Sequence, residues 1–314
     1  MNRRGTALII VLLFLLLLTT LQLENLSRGN KTLDMMETNY RYFQALSLAY
    51  GGIQYGLRIL SQDEDLKIDW LGEEWAKGPF FWKGEKVRVW IEDEDRRVNV
   101  NRLKKGNVQE KRERLEQLLE LCDYFHTSYS LVPSLLDWID GDKEVTVLPF
   151  IEGENSGAEE EYYSLLNPPR RVKNAPLDVP EEILLIKGMD EEAWSRGWKN
   201  VVTVWSKGKV NINTTDFPVL LATLQVYSPD KVDESLVKEI MEVRKNQPFS
   251  SVSELAPLLP GELWKRFAKS RLITFSSSFF RITSEARLEK IRIRLLSVWE
   301  RKREGFELKY MRVD

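Results

Sequence analysis

The residues best suited to chemistry are carboxylates that crowd into the middle of the chain. Four fall within eight consecutive residues, and three more follow a stretch that contains glycine: Asp137, Asp140, Asp142, Glu144, Glu159, Glu160 and Glu161. Carboxylates held close together at neutral pH repel one another unless a cation neutralises them, and Ca²⁺ accepts about 6–8 oxygen ligands from flexible loops. These residues alone leave two interpretations open, a calcium site and a solvated acidic loop.

The spacing of these carboxylates excludes an EF-hand. If Asp140 were the first ligand, Val145 would occupy the position that requires Gly, and Ile151 the position of the bidentate Glu. A calcium site here must therefore use a different loop. The spacing does not decide which carboxylates would bind the ion.

Other reactive residues are scarce. Cys122 is the only cysteine and His126 the only histidine. An intrachain disulfide needs a second cysteine, a His/Cys zinc site needs more ligands, and a Ser-His-Asp triad would depend on His126 alone. A single His near a predicted helix end is usually structural. We therefore predict a protein that is not an enzyme, and a membrane-anchored hydrolase remains only a weak alternative.

An apolar segment at the start of the chain is the first element that positions these residues. Arg3 and Arg4 precede Gly5, and no further charged residue occurs before Glu24. These roughly 19 residues are close to the roughly 20 that a helix needs to cross a bilayer, where the backbone must satisfy its own hydrogen bonds. We predict a transmembrane helix over residues 6–23. Its basic flank lies in the cytoplasm and the rest of the chain on the far side.

Three other interpretations compete for this segment. A cleaved signal peptide has an apolar region of about 7–15 residues followed by small residues, whereas this run is longer and leaves through residues 19–23, TTLQL. A buried core helix usually has a shorter apolar run. A plain signal anchor fits these residues and stays open on this evidence.

The apolar residues that follow recur at spacings of three and four, which places them on one face of a helix. They are Met36, Tyr40, Phe43, Leu46, Tyr50, Ile53, Leu57 and Leu60. We predict that the helix continues through residues 24–62 and packs this stripe on a sheet. Gly51 and Gly52 interrupt it at a cost of about 1 kcal/mol each relative to Ala, for which close packing and a bend are both possible reasons.

The rest of the chain divides into strand-like ends and a helical middle. Alternation of apolar and polar residues predicts strands, and these cover residues 87–91, 98–101, 279–286, 291–295 and 306–310. From about residue 108 to 270 the pattern is helical, and a capping box from Ser251 to Glu254 predicts the start of a short helix.

These elements predict an α+β fold in which a long N-terminal helix packs on an antiparallel sheet. Residues 63–102 and 276–314 would form the sheet, and residues 103–275 an all-helical domain inserted between its strands.

The basic leader that ends in Gly5, the apolar helix and its amphipathic continuation resemble the N-terminus of type IV pilins and pseudopilins. In that family a prepilin peptidase cuts after the Gly, which implies a leader of residues 1–5 and a mature chain that begins at Thr6. Members usually carry Glu at the fifth residue after the cut, where this chain has Ile10. Minor pseudopilin K of type II secretion normally lacks that Glu.

Blocks along the rest of the chain resemble pseudopilin K in their order. They are VNVN at 98–101, LDWIDGD at 136–142, GAEEEYY at 157–163, NAPL at 174–177, LLIKGM at 184–189 and VNINT at 210–214. The resemblance implies a type IV pilin-like fold with a large helical insertion. It implies a subunit at the tip of the pseudopilus that initiates assembly and supports export across the outer membrane.

The resemblance also implies a setting. The chain would lie in the bacterial inner membrane as a single-pass protein, with its C-terminal domain in the periplasm. Its partners would be the I- and J-type minor pseudopilins, the major pseudopilin, prepilin peptidase, the inner-membrane secretion platform and membrane lipid. Family members bind calcium at this acidic motif, so the expected ligands are Asp137, Asp140, Asp142, Glu144, Glu159 and Glu160. The expected assembly residues are Ile10, Met36, Tyr40, Phe43 and Leu46.

A second resemblance points to a different class of function. Residues 210–215, 240–244 and 248–255 are similar to the helix-hairpin-helix module of DNA-binding competence proteins. That module binds phosphate through backbone N–H groups of a Gly-containing hairpin, whereas residues 227–230 here read YSPD. The net charge of −2 also argues against a nucleic-acid surface. We therefore predict no nucleic-acid partner and keep a membrane-anchored, competence-like DNA-binding protein as the alternative.

Overall fold

The structure, a computed structural model, describes residues 3–151, 153–228, 230 and 232–314. Its longest element is helix α1, which runs without interruption from Arg3 to Leu60. The apolar part near the N-terminus contains an 18-residue window with a mean hydropathy of 2.4, none of it buried in the protein. By length and composition, this helix can cross a membrane.

Eight shorter α-helices follow α1 in the described part of the chain. They are α2 (Val108–Phe125), α3 (Leu131–Ile139), α4 (Glu160–Ser164), α5 (Glu191–Ala193), α6 (Lys199–Val201), α7 (Phe217–Gln225), α8 (Glu234–Asn246) and α9 (Gly261–Phe267). Short 3₁₀ turns occupy Glu74–Lys77, Gly84–Lys86, Val100–Arg102, Pro180–Leu185 and Val252–Leu255, and a π turn occupies Trp194–Trp198.

Five strands form one antiparallel sheet, in the spatial order Phe80–Trp82, Val87–Asp93, Phe279–Leu288, Ile291–Arg301 and Phe306–Val313. The strands in chain order are β1 (Phe80–Trp82), β2 (Val87–Asp93), β3 (Val98–Asn99), β4 (Val202–Thr203), β5 (Val210–Asn211), β6 (Ile273–Thr274), β7 (Phe279–Leu288), β8 (Ile291–Arg301) and β9 (Phe306–Val313). Helices α2 to α9 all lie between β2 and β7 in the sequence. The predicted α+β fold, with a helical insertion between strands of the sheet, is confirmed.

Small residues let α1 lie close to the sheet. Ala45 and Ala49 are completely buried there. A Cβ atom on Gly52 would lie 2.7 Å from Val87 Cγ1, and one on Gly56 would lie 2.8 Å from Ile282 Cγ2. Distances below 3.0 Å are too short for a Cβ atom. Close packing therefore accounts for the glycines in this part of the helix.

The predicted apolar stripe of α1 is partly wrong. Ile53 and Leu60 are buried as predicted, but Tyr50 is 47% exposed. Above the sheet, the helix turns its Ala and Gly positions inward, because a helix approaches a sheet most closely where its side chains are shortest. The large apolar residues nearer the membrane, from Met36 to Phe43, do not reach the sheet and remain exposed.

Two predictions of secondary structure need correction, one for residues 98–101 and one for the insertion. Residues 98–101 form a strand only as far as Asn99, because the Asn99 side chain accepts a hydrogen bond from the N–H of Asn101 at 2.9 Å and starts a turn. The insertion is not purely helical either, since β3 pairs with β4 and β5 with β6, both in parallel.

The predicted capping box is also wrong. The side chain of Ser251 makes no cap hydrogen bond. Instead, Glu254 Oε2 accepts from the backbone N–H of Ser250 at 2.9 Å. The segment that follows is a single 3₁₀ turn, and Glu254 supports it from inside the turn.

Buried carboxylates join the insertion to the sheet where the chain leaves β2 and enters β7. Asp93 Oδ2 accepts hydrogen bonds from Ser277 Oγ at 2.6 Å and from Asn211 Nδ2 at 3.2 Å. Asp95 Oδ2 accepts from the backbone N–H of Phe279 at 3.1 Å. These bonds tie the entry and the exit of the insertion to each other.

A second junction forms where the insertion packs back on β9. The rings of Trp205 and Tyr310 lie 5.2 Å apart, and Arg312 pairs with Glu181 at 2.7 Å. The insertion therefore contacts the sheet at two separate places.

Candidate metal site and docking surface

Helix α3 carries the first predicted ligand into the protein interior. Most of α3 is buried, and Asp137 on its last turn is completely buried. Asp137 Oδ1 accepts from the backbone N–H of Thr146 at 2.9 Å. Its Oδ2 is buried and has no hydrogen-bond partner among the described residues.

The loop after α3 and the start of α4 supply three carboxylates that come together. Asp140 is the C-cap residue of α3, and the Oδ1 atom of Asp142 accepts from the N–H of Glu144 at 2.9 Å, which folds the loop back. Glu159 is the N-cap residue of α4. One carboxylate oxygen from each of Asp140, Asp142 and Glu159 lies within 4.8 Å of the others.

This cluster carries more negative charge than the surrounding protein compensates. Burial raises the pKa of Glu159, and the negative charges of Asp137, Asp140 and Asp142 raise it further. Burial is also the main reason that the pKa of Asp137 is raised. Lys104 Nζ contacts Asp140 Oδ2 and offsets part of the charge.

Three buried carboxylate oxygens of the cluster, and one of the nearby Asp137, have no hydrogen-bond partner in the described part of the chain. They are Asp137 Oδ2, Asp140 Oδ1, Glu159 Oε1 and Glu159 Oε2. Buried polar atoms are normally satisfied, and a hard cation such as Ca²⁺ takes oxygen ligands of this type. The residues present therefore fit a calcium ion.

The remaining predicted ligands lie outside this group. Glu144 is exposed and contributes only its backbone N–H to the loop. Glu160 Oε2 accepts from the N–H of Val172 at 3.2 Å, on the outer side of α4. Glu161, which was not among the predicted ligands, is exposed as well. Adjacent residues at a helix start face different directions, so Glu159 turns inward and the next two do not.

Two participants were missed in the sequence. Lys104 lies far from the acidic stretch in the chain, and only the fold brings it to Asp140. Gly157 gives Asp137 room, because a Cβ atom there would clash with the Asp137 carboxylate and lie 2.8 Å from the carbonyl oxygen of Pro133. The glycine in the acidic stretch was the only signal of this contact.

A second acidic group, also missed in the sequence, lies under the sheet. Its members are Asp63, Asp69 and Glu73. Arg301 fills the space between the two aspartates, with Nη2 at 2.9 Å from Asp63 Oδ2 and Nη1 at 2.9 Å from Asp69 Oδ1. A guanidinium already occupies the position that a cation would take, so Arg301 stands in this group where a metal ion would bind.

The predicted assembly residues are available on α1. Met36, Tyr40 and Phe43 are 62%, 65% and 63% exposed, whereas Leu46 is partly buried against the sheet. Ile10 is 62% exposed within the apolar segment. Of the predicted leader, residues 1 and 2 lie outside the described residues, and α1 already includes Gly5.

The residues of the helix-hairpin-helix resemblance serve the core of the insertion. Tyr227 is buried, and its hydroxyl bonds Ser270 Oγ at 2.6 Å and Glu113 Oε2 at 3.0 Å. Arg244 is buried and donates to the carbonyl oxygen of Ile212. Position 229 of the expected hairpin lies outside the described residues.

The lone cysteine and histidine have structural positions. Cys122 is completely buried on α2, and burial raises the pKa of its thiol. His126 is the exposed C-cap residue of α2, with φ of 51° and a backbone N–H that donates to the carbonyl oxygen of Asp123 at 3.2 Å.

Comparison with known proteins gives matches along most of the chain. The family profile described as type II secretion system (T2SS), protein K, matches residues 96–207. Type II secretion system protein K of Klebsiella pneumoniae is 26% identical over 264 residues, covering 80% of this chain and 78% of the relative. The protein of the same description from Pectobacterium carotovorum subsp. carotovorum is 24% identical over 309 residues, covering 91% and 89%.

A solved structure shows the same fold. It is the crystal structure of the GspK-GspI-GspJ complex from the type 2 secretion system of enterotoxigenic Escherichia coli. The matching chain has a TM-score of 0.71 and 20% sequence identity, with 89% of this chain and 99% of that chain covered. These matches give no support to the DNA-binding alternative.

Proposed function

We propose that this chain is a minor pseudopilin of the type II secretion system protein K family, which it resembles along most of its length, and that it occupies the tip of the pseudopilus. There it initiates assembly and supports protein export across the outer membrane. The family is a structural component of secretion, and we propose that this chain has no enzymatic activity and binds no nucleic acid.

One observation carries the tip position, the neutral residue Ile10 on an α1 segment that has no charge between Gly5 and Glu24. When pilin helices stack in an apolar core, each free N-terminal amine needs a counter-charge, which the Glu of the subunit added below supplies. A subunit with nothing above it has no amine to neutralise. A carboxylate there would cost at least about 2.5–3.5 kcal/mol, so a neutral Ile10 is preferable.

The size of the insertion supports the same position. Helices α2 to α9 all lie between β2 and β7, and they build two hydrophobic cores of their own. A domain of this size would clash with neighbours inside a helical stack, but not at its end.

The partners that we propose are the I- and J-type minor pseudopilins, and the solved GspK-GspI-GspJ complex supports them. The contact surface would be the exposed α1 face with Met36, Tyr40 and Phe43, next to Leu46. Burial of apolar surface drives such contact outside the membrane, and helix packing governs it within. The major pseudopilin, prepilin peptidase, the inner-membrane platform and membrane lipid complete the proposed set.

A single α1 span anchors the chain in the inner membrane. We propose that its N-terminus is cytoplasmic and its C-terminal domain periplasmic, as the basic flank predicts. We also propose cleavage between Gly5 and Thr6, which the intact mass of the membrane-extracted chain measures directly.

We propose that the cluster of Asp137, Asp140, Asp142 and Glu159 holds a structural Ca²⁺ ion. The four buried oxygens without partners support this proposal. Bound calcium would neutralise the cluster and connect the loop after α3 to the start of α4.

The tip proposal is tested by the Ile10→Glu variant, with Ile10→Leu as the control. Glu would place a carboxylate in lipid near no amine, so we expect fewer pseudopili per cell with Ile10→Glu and a normal number with Ile10→Leu. A normal number of pseudopili with Ile10→Glu would contradict the proposal.

A further inference from the structure

Lys104 is the cation that lies against the proposed calcium ligands. Its Nζ atom contacts Asp140 Oδ2. Among the residues that the structure describes, no other Lys or Arg side chain lies within 4.0 Å of a carboxylate of this cluster. The negative charge of the site is therefore opposed at close range by one lysine alone.

The fold holds the backbone of Lys104 in place at the start of the insertion. The 3₁₀ turn Val100–Arg102 ends just before it, and the adjacent Leu103 is buried in the core of the insertion. The side chain of Asn101 fixes this turn, because it donates to the carbonyl oxygen of Leu177 at 2.8 Å and accepts from the N–H of the same residue at 2.8 Å. The lysine therefore reaches the cluster from a fixed base.

The two oxygens of the Asp140 carboxylate have different surroundings. Oδ2 contacts Lys104, whereas Oδ1 is buried and has no hydrogen-bond partner in the described part of the chain. The Asp140 side chain is only 9% exposed, and that of Lys104 is 40% exposed. One oxygen can thus pair with the lysine while the other remains available to a divalent cation. Two cations on one carboxylate repel each other, and solvent around the lysine screens part of that repulsion.

A lysine in this position has two effects of opposite sign. Its charge relieves the repulsion among the carboxylates, which stabilises the fold in the absence of calcium. The same charge repels an incoming Ca²⁺ ion, and the charge around a calcium site is one of the factors that set its affinity.

Lys104 could also favour calcium binding by orienting Asp140, but this contribution is small. Asp140 is already fixed as the C-cap residue of α3, where its N–H donates to the carbonyl oxygen of Leu136 at 3.0 Å. Its side chain is also nearly buried, which restricts its rotamers. The repulsion between the two cations therefore decides the sign of the effect on calcium affinity.

We propose that Lys104 sets the calcium affinity of this site, by weakening binding of the ion and stabilising the fold when calcium is scarce. The ammonium group carries one positive charge where calcium carries two, so it replaces the ion only in part. This inference rests on the proposed calcium site. It adds a residue from the start of the insertion that controls the site without being one of its ligands.

Calorimetric titration of CaCl₂ into the full-length chain in detergent, after calcium has been removed with chelator, measures this affinity. Lys104→Gln should bind calcium about tenfold more tightly than the unmodified chain, and the difference should shrink at high salt because the lysine charge is screened. Lys104→Arg keeps the charge and should bind like the unmodified chain. The matched control is Lys105→Gln, which makes the same charge change at an exposed neighbour outside the cluster and should leave the affinity unchanged.

Thermal melting with chelator supplies a second measurement. Lys104→Gln should melt about 1–2 °C below the unmodified chain, because the repulsion among the carboxylates is no longer offset. A lysine that only supported the fold would lower the melting temperature without tightening calcium binding. The combination of lower stability and higher affinity is therefore specific to the proposed role.

The outcomes separate the role of Lys104 from the calcium site itself. Equal or weaker calcium binding by Lys104→Gln would overturn the role of the lysine and leave the site standing. Failure of the unmodified chain to bind calcium would overturn both. Equally tightened binding by Lys104→Gln and Lys105→Gln would indicate a general effect of net charge and would also overturn the assignment to Lys104.

Discussion

Glu159 is the residue that best separates a calcium site from a solvated acidic loop. Only 5% of it is exposed, and both of its carboxylate oxygens are buried without a hydrogen-bond partner in the described residues. A solvated loop would leave such oxygens in water. Their burial beside Asp137 and Asp140 favours an ion.

Calcium should stabilise the full-length chain through this cluster. Binding to the folded state alone raises the free energy of unfolding by about 2.7 kcal/mol at a hundredfold excess over Kd. Asp140→Ala and Asp142→Ala should reduce this gain, measured by thermal melting in detergent with calcium and with chelator. Glu161→Ala, an exposed control, should keep it. A melting temperature indifferent to calcium and to chelator would indicate a solvated loop.

Glu159→Gln should shift the melting temperature in opposite directions with chelator and with calcium. With chelator present, the loss of one negative charge relieves repulsion within the cluster and should raise the melting temperature. With calcium present, the loss of a ligand should lower it relative to the unmodified chain. The same sign in both conditions would mean that Glu159 does not bind the ion.

Part of this site could be predicted from sequence. Asp140 and Asp142 are close in the chain, so local spacing was enough to bring them together. Glu159 arrives through a loop whose path depends on Gly157 and the core around α3, and no local pattern encodes that path. The inclusion of Glu144 and Glu160 stays a prediction, and the geometry places both away from the cluster.

The buried Asp69 makes stability depend on pH. Burial raises its pKa from 3.8 to about 7, and Arg301 only partly opposes this. Between these values the unfolded chain has released the proton that the folded chain still holds. The stabilisation that the protonated Asp69 gives the folded chain is therefore full below the unfolded pKa. It is lost as the pH rises toward 7, and the free energy of unfolding falls by up to about 1.4 kcal/mol per pH unit.

Urea unfolding of the full-length chain at pH 5, 6 and 7 measures this dependence. Asp69→Asn should reduce this dependence, and the exposed control Glu64→Gln should leave it unchanged. An identical pH dependence in Asp69→Asn and the unmodified chain would contradict the assignment.

At the scale of elements, Gly→Ala substitutions at two positions of α1 should change stability in opposite directions. Gly→Ala in a helix normally stabilises by roughly 0.5–1 kcal/mol. Gly29→Ala should follow that rule, because nothing lies within 4 Å of its new Cβ. Gly52→Ala should instead destabilise by about 1–3 kcal/mol, because its Cβ would overpack against Val87 and Ser284. Chemical unfolding that shows equal effects at both sites would contradict close packing of helix and sheet.

The elements themselves were largely predictable, and their contacts were not. Periodicity predicted α1 and the strands because each signal is local. The inward face of α1 was missed because Ala and Gly carry little hydrophobic signal, although they decide how closely the helix approaches. The pairing of Val98 with Val202 was invisible because a parallel partner so distant in the chain leaves no local pattern.

At the scale of the whole molecule, the insertion is fixed to the pilin-like sheet. Asp93 and Asp95 hold its two ends together, and Trp205 packs on Tyr310 of β9. An insertion held at two places is expected to keep its position relative to the sheet. Its size and the neutral Ile10 both support the proposed position at the end of a filament.

The location of this chain on assembled pseudopili tests that position most directly. Cys122 is completely buried, so a cysteine introduced at Leu165, which is 83% exposed, gives a single accessible thiol for a gold label. The tip proposal predicts label at one end of each pseudopilus and none along the shaft. Label distributed evenly along the shaft would contradict it.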